Sequence, residues 1–191
     1  PFNGGDELVS KSLKSLGAVD PYFSECIETM QVMGHLDLDS RIGKAPGGYN
    51  MPLPEIGVPF IFMNAAGIHR DVHVMVHEAG HAVHSFLTKD LAYDFDKNFG
   101  SEVAELASMS MELLTMEHWD SFYENEEDLQ RAKTEQIESI ITILPWIAIV
   151  DKFQHWIYTH PEHTTAERTA AWMEIHTKFA SKVVDWSEYE A

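Results

Sequence analysis

The residues of this chain best suited to chemistry lie in "MVHEAGHAVH", residues 75–84, which holds three histidines and a glutamate. His77 and His81 are four positions apart, so on a helix their imidazoles lie one turn apart on one face and can reach a single metal ion. Glu78 is rotated from His77 by about 100° and can reach a water molecule on that ion. This HExxH pattern predicts a zinc site in which Glu78 acts as the general base.

A third ligand must come from another element, and the segment "GSEVAELASMSMELL" that follows offers three glutamates. Apolar residues flank Glu105, and a carboxylate in such a setting is costly unless it meets a cation. Glu102 lies nearer the start of the predicted helix, where a carboxylate is favoured by the helix dipole alone. Glu112 is two turns beyond Glu105 and could accept a hydrogen bond from a ligand histidine. The sequence therefore favours Glu105 as the third ligand of one Zn²⁺ per chain and Glu112 as its supporting carboxylate.

Two neighbouring histidines are alternative ligands. His73 precedes His77 by one helical turn, but ligation by that pair would leave no glutamate directly after the first ligand, and the hydrolytic arrangement would be lost. His84 follows His81 by three residues and is expected to pack or to form hydrogen bonds. We expect neither histidine to bind the metal.

Helices predicted over residues 70–88 and 101–118 carry the candidate ligands. The stretch before them, residues 37–68, is rich in proline and glycine with short apolar alternations, which predicts short strands and turns. Residues 59–64 are the best strand candidate. The expected fold is mainly α, with a small irregular β-sheet inserted before the histidine helix.

The remaining elements are also predicted as helices. Asp20 and Pro21 form an N-cap followed by proline at the first helical position, and Thr164 with Glu167 forms a capping box. Pro145 is expected to kink or divide the helix that contains it. The predicted ranges are 6–16, 21–33, 121–144 with a continuation to Tyr158, and a final helix from Thr164 to about Val184.

Composition excludes several classes of partner. The chain has 191 residues and a formal charge of −18, which argues against nucleic acid or an anionic membrane, because binding phosphate needs clustered Lys and Arg. The single cysteine, Cys26, excludes an internal disulfide framework and fits a reducing compartment. No targeting pattern or long apolar run is visible in the sequence. A cytoplasmic location is the resulting expectation.

Beyond the motif, the chain resembles the zinc oligopeptidases related to thimet oligopeptidase and oligoendopeptidase F, and most closely the latter. The segments that carry the resemblance follow the family's order with similar intervals. They are "FNGGDELVSKSL", "LDLDSRIGKAPGGYN", "PFIFMNAAG", "DVHVMVHEAGHAVHSFL" and "SEVAELASMSMELL". The resemblance implies His77, His81 and Glu105 as zinc ligands and Glu78 as general base.

The resemblance also implies a zincin-like helical catalytic core beside a channel. The strand at 59–64 would then be a sheet edge that pairs with the backbone of a short peptide substrate, and small residues after it would let that chain approach. The substrate-binding residues expected on this basis are Phe62, Met63, Asn64, Ala65 and Gly67.

Two parts of the family pattern have no counterpart in these residues: a large N-terminal helical half, and a C-terminal cluster of His and Tyr that stabilises the oxyanion. We therefore expect residues 1–191 to form a single domain that is part of a longer catalytic domain, able to bind zinc but poor at hydrolysis. The expected activity is zinc-dependent cleavage of internal bonds in short peptides. The alternative is a zinc-binding module or fragment without catalysis. The sequence does not indicate an oligomeric state.

Overall fold

The computed structural model describes residues 1–185, which form two compact units. The first is Pro1–Lys133 and contains all the candidate ligands. The boundary at residues 133 and 134 falls inside a long helix.

Helices and one small sheet make up the first unit, as the sequence predicts. The helices are α1 (Gly5–Val19), α2 (Pro21–Val32), α3 (His69–Thr88) and α4 (Ser101–Met116), and α5 (Glu126–Thr159) begins in this unit. The strands are β1 (Leu36–Asp39), β2 (Gly48–Met51) and β3 (Phe60–Ala65), with short 3₁₀ turns at Asp94–Lys97 and Trp119–Ser121. The fold class is thus confirmed as mainly α with a small sheet before the histidine helix.

Helix α3 is the central element of this unit. Its apolar residues recur at helical spacing and are buried, among them Val72, Met75, Val76, Ala79 and Val83. The helix begins where the Asp71 carboxylate accepts hydrogen bonds from the backbone N–H groups of Ala66 (2.8 Å) and Ile68 (3.0 Å). One face of α3 is therefore buried in the core, and the adjacent histidines, His73, His77 and His81, are half-buried.

The sheet corrects one expectation about substrate binding. Its strand order is β1-β3-β2, with β1 parallel and β2 antiparallel to β3. β3 is therefore the central strand, and both of its sides are occupied by neighbouring strands, so the interpretation of residues 59–64 as a sheet edge is wrong. The apolar segment at residues 59–64 predicts a strand but does not reveal its position in the sheet. Within the described residues, β2 pairs on one side only.

Two predicted helices have different bounds in the structure. α5 runs unbroken from Glu126 to Thr159 with Pro145 inside it, so the proline does not divide the helix. The last helix, α6 (Thr165–Thr177), starts at the predicted capping box, where the Thr164 side chain accepts a hydrogen bond from the N–H of Glu167. It ends well before Val184, because residues 164–167 specify where a helix starts but not where it stops.

Within the described residues, no helix combines the length and apolar character needed to cross a membrane.

Candidate metal centre

The site depends on an unusually close approach of α3 and α4. A Cβ placed on Gly80 would lie 2.7 Å from Cα of Ser108 and 2.9 Å from Cβ of Met111, closer than real Cβ atoms come. Gly80 is fully inside α3, so it is the absence of a side chain rather than backbone freedom that matters here. The contact brings the histidine face of α3 against the glutamate face of α4.

Three of the predicted ligands converge across this contact. His77 Nε2 lies 3.3 Å from Glu105 Oε2, and His81 Nε2 lies 3.7 Å from Glu105 Oε1. The two imidazole rings are nearly perpendicular, with centroids 4.9 Å apart. In a tetrahedral zinc site with bonds of about 2.0–2.1 Å, ligand atoms lie about 3.3–3.5 Å from one another. The two measured separations are close to this spacing, and the ligand atoms of all three side chains lie within 4.8 Å of one another, so the group could hold one zinc ion.

The Glu105 side chain is more exposed to solvent than the apolar residues on either side of it in the sequence suggest. Its side chain is 49% exposed, and Leu106 beside it is 67% exposed. The hydroxyl of Ser108 donates a hydrogen bond to Glu105 Oε2 (3.1 Å) as well as to its backbone carbonyl (3.0 Å). Ser108 thus orients the carboxylate from within α4, a role that the sequence pattern did not reveal.

Glu112 joins two histidines of α3. Its Oε1 lies 2.6 Å from His77 Nδ1, and its Oε2 lies 3.0 Å from His73 Nε2. Both distances are hydrogen-bond lengths and are shorter than the spacing of two ligands on one zinc ion. We therefore interpret His73, His77 and Glu112 as a hydrogen-bonded chain rather than a second metal site. The contact occupies Nδ1 of His77 and leaves Nε2 directed at Glu105. His73, which was expected to stay off the metal, is the outer member of this chain.

The pKa values of Glu112, His77 and His81 are shifted by burial and by their hydrogen-bonded or charged neighbours. Glu112 is buried, and burial alone would raise its pKa, but the hydrogen bonds from His73 and His77 outweigh it and lower the pKa to about 2. Burial opposes the charged form of His77, yet its pKa is raised because Glu112 accepts its hydrogen bond and three carboxylates surround it. Burial and the neighbouring His77 lower the pKa of His81. A metal ion would displace any proton from the ligand nitrogens.

Glu78 lies on α3 directly after His77 and is not one of the three candidate ligands. It is only 6% exposed, and burial raises its pKa, helped by the negative charge of Glu105 and opposed by His77. A carboxylate with a raised pKa is a better proton acceptor near neutral pH than an exposed one. Glu78 is therefore suited to accept a proton from a water molecule held next to the three ligand atoms.

β2 lies beside Glu78. The side-chain amide of Asn50 donates a long hydrogen bond (3.4 Å) to the Glu78 backbone carbonyl. A Cβ on Gly48 would lie 3.5 Å from Glu78 Oε1 and 2.6 Å from the Val74 side chain, so only glycine lets the strand come this close. The face of β2 that carries Gly48 and Asn50 thus lies next to the candidate base.

The residues predicted to bind substrate are distributed over the central strand and the turn after it. Met63 and Ala65 are buried in the core. Phe62 stacks on Tyr49 with centroids 5.0 Å apart, and the Asn64 amide donates to the backbone carbonyls of Lys44 and Ala45. Gly67, with φ +85°, packs against the backbone of Phe2. No described contact joins these five residues to the metal ligands.

Comparison with known proteins places the chain in a family. The sequence model of peptidase family M3 matches residues 23–191. The chain belongs to peptidase family M3. No curated protein sequence matches this M3 chain at a significant level.

Solved structures agree with the family assignment. A protein from Bacillus anthracis assigned as an oligoendopeptidase F is 31% identical, with a TM-score of 0.84 over 94% of this M3 chain and 32% of that protein. PZ peptidase A, solved with an inhibitor, is 30% identical, with a TM-score of 0.84 over 98% of this chain and 34% of its own. A peptidase structure from Chlamydophila abortus, 21% identical with a TM-score of 0.66 over 95% of this chain and 30% of its own, shares the fold. This M3 chain spans about a third of the length of these structures.

Proposed function

We propose that the chain carries the catalytic centre of a zinc peptidase that hydrolyses internal bonds of short peptides. The observation that carries the proposal is the convergence of His77, His81 and Glu105 at zinc-ligand spacing, with Glu78 buried beside them and outside the ligand set. Two histidines and one carboxylate leave an open coordination position, which catalytic zinc sites require and structural sites lack. Membership of peptidase family M3 supports the same assignment.

Each residue has a separate role in this proposal. When bound, zinc supplies a Lewis acid that polarises the scissile carbonyl and lowers the pKa of the attacking water. Glu78 accepts the proton of that water and delivers it to the leaving amine. Glu112 fixes the ring of His77 through Nδ1, and Ser108 holds Glu105 in place.

The substrate backbone is proposed to lie along the free side of β2. An extended peptide can add to a strand that is paired on one side only, through main-chain hydrogen bonds that demand little of its side chains. β2 lies next to Glu78, as the contacts of Asn50 and Gly48 indicate, so a peptide bound there would pass the base. This assigns to β2 the role that the sequence predicted for β3. The preference for short peptides is proposed from the family resemblance. The cytoplasmic location is proposed from the single cysteine, which fits a reducing compartment.

The first test is metal content by inductively coupled plasma mass spectrometry on protein purified without a histidine tag. We expect about one zinc per chain, lost in Glu105→Ala and retained in Glu102→Ala, a matched change in the first turn of the same helix. Zinc retained in Glu105→Ala would refute the ligand set.

The second test separates a peptidase from an inactive zinc-binding module. Because residues 1–191 are expected to hydrolyse peptides poorly, we expect weak but chelator-sensitive cleavage of a quenched octapeptide, reduced at least about 100-fold in Glu78→Gln while zinc content is unchanged. Zinc binding without any chelator-sensitive cleavage would favour the inactive module.

A further inference from the structure

The segment before α1 contains the one asparagine–glycine pair in this sequence, Asn3–Gly4. An asparagine loses its side-chain amide when the backbone nitrogen of the next residue attacks the side-chain carbonyl carbon, and asparagine is accordingly among the thermolabile residues of proteins. The attack is least hindered when the next residue has no Cβ. The other asparagines of the sequence precede Met51, Ala65, Phe99 and Glu126.

The fold leaves this pair open to reaction. Asn3 and Gly4 are both exposed and lie in a bend ahead of α1. Among the contacts of the described residues, the Gly4 N–H donates no hydrogen bond, so its nitrogen is available. The Asn3 amide donates one long hydrogen bond, 3.3 Å, to Oε2 of Glu7, and no described contact engages its carbonyl. Gly4 has φ +81°, a conformation that favours glycine, so the way the chain enters α1 itself calls for the reactive pair.

The remaining asparagines are protected by their surroundings. The side chains of Asn50, Asn64 and Asn125 all donate hydrogen bonds within the fold. Asn98 is exposed like Asn3, but the side chain of Phe99 follows it and crowds the approach to its carbonyl. Asn98 is therefore a control that the chain itself supplies.

We propose that Asn3 is a site of spontaneous covalent modification, where deamidation produces aspartate and isoaspartate. The Gly4 nitrogen gives up its proton and bonds to Cγ of Asn3, while the bond from Cγ to the amide nitrogen breaks and ammonia leaves with that proton. Water then opens the cyclic imide. Opening between Cγ and the Gly4 nitrogen leaves aspartate, whereas opening at the main-chain carbonyl leaves isoaspartate, in which the chain runs through Cγ. Water is the sole co-reactant, and the inference does not depend on the proposed peptidase function.

Isoaspartate at this position would change how the chain enters α1. It inserts an extra carbon into the main chain between Phe2, which is buried, and Gly5, whose N–H donates a hydrogen bond to Asp39 Oδ1 (2.6 Å). The Phe2 carbonyl in turn lies against Gly67, in the turn before α3. Either product also places a new negative charge beside the Glu7 carboxylate. The modification therefore weakens the contacts that join the start of α1 to β1 and to the turn before the histidine helix.

Mass spectrometry can test the proposal on the folded chain. The chain is incubated for days at neutral and at mildly alkaline pH in heavy-oxygen water, which labels carboxylates formed during the incubation and not during later digestion. We expect the tryptic peptide that carries Asn3 to gain the mass of the labelled acid, faster at the higher pH, and the peptide that carries Asn98 to remain unchanged. Electron-transfer fragmentation then distinguishes isoaspartate from aspartate.

The structural consequence has its own control variant. Asn3→Gln keeps an amide but moves its carbonyl carbon one bond further from the Gly4 nitrogen, so it should not be modified. In urea unfolding, we expect a less stable population to accumulate in the incubated unmodified chain and not in incubated Asn3→Gln. An unchanged Asn3 peptide, equal modification of Asn98, or modification of Asn3 in the urea-unfolded chain alone would overturn the site. Equal loss of stability in Asn3→Gln would overturn the weakening of the α1 contacts.

Discussion

Oε1 of Glu112 lies 2.6 Å from Nδ1 of His77, while the opposite nitrogen of that ring faces Glu105 at 3.3 Å. A buried carboxylate on one helix thereby sets which nitrogen of a histidine on another helix is available to a metal. The second oxygen of Glu112 holds His73 in the same way, so one glutamate orients two rings.

This contact predicts a loss of metal affinity when it is removed. Glu112→Gln keeps the shape of the side chain but loses the charge that supports His77, and partners of this kind typically contribute 10–100-fold to affinity. We expect the Kd for zinc, measured by competition with a chromogenic chelator, to rise by about that factor. Glu117→Gln, an exposed change at the end of α4, is the control and should bind zinc like the unmodified chain. Equal affinity in both variants would show that Glu112 does not orient the ligand.

His73 gives a smaller effect of the same kind. His73→Phe removes the outer hydrogen bond to Glu112 and leaves the contact with His77, so zinc affinity should fall by less than in Glu112→Gln. His73→Gln can still donate a hydrogen bond to the carboxylate and should restore part of the loss. A larger loss in His73→Phe than in Glu112→Gln would instead indicate that His73 is itself a ligand.

Gly80 predicts a coupling between stability and metal binding. Alanine there would force α3 and α4 apart at Ser108 and Met111, and overpacking of this kind costs about 1–3 kcal/mol. Because Glu105 and Glu112 are on α4, we expect Gly80→Ala to lower both the free energy of unfolding in urea and the affinity for zinc. Gly17→Ala is the matched control, since its new Cβ would meet only the side chain of Ser24, which can move. Its stability should be unchanged or slightly higher. Full stability and zinc affinity in Gly80→Ala would contradict the close approach.

Cys26 predicts a specific dependence of stability on pH. The side chain is 2% exposed, and burial raises the pKa of its thiol to about 11, against about 8.5 in an unfolded chain. Between these values the unfolded state releases the thiol proton and the folded state keeps it, so the contribution of Cys26 to stability decreases as pH rises from about 8.5 towards 11. Urea unfolding across this range should show a shallower loss of stability in Cys26→Ala. The native thiol should also react slowly with a disulfide reagent at pH 8. Parallel pH profiles for the two proteins, or fast labelling of the native thiol, would contradict the prediction.

The sequence predicted the features that depend on neighbouring residues. Asp20 accepts a hydrogen bond from the N–H of Tyr22, and Thr164 pairs with Glu167, so both helix starts were found where the local pattern placed them. The apolar segment at residues 59–64 likewise predicted β3. Features that depend on distant residues were missed, because the sequence does not record which elements pack together. The central position of β3, the exposure of Glu105 and the link between His73 and Glu112 are of this kind.

The close approach at Gly80 also limits how such a centre could be transplanted. A designer who copied His77, Glu78, His81 and Glu105 onto two helices at ordinary separations of 8–10 Å would reproduce the motif but not the distances between its ligand atoms. In this chain the backbone of α3 at Gly80 comes so close to the backbone of α4 that no methyl group fits between them. In any scaffold built around these ligands, the glycine has to be chosen before the histidines.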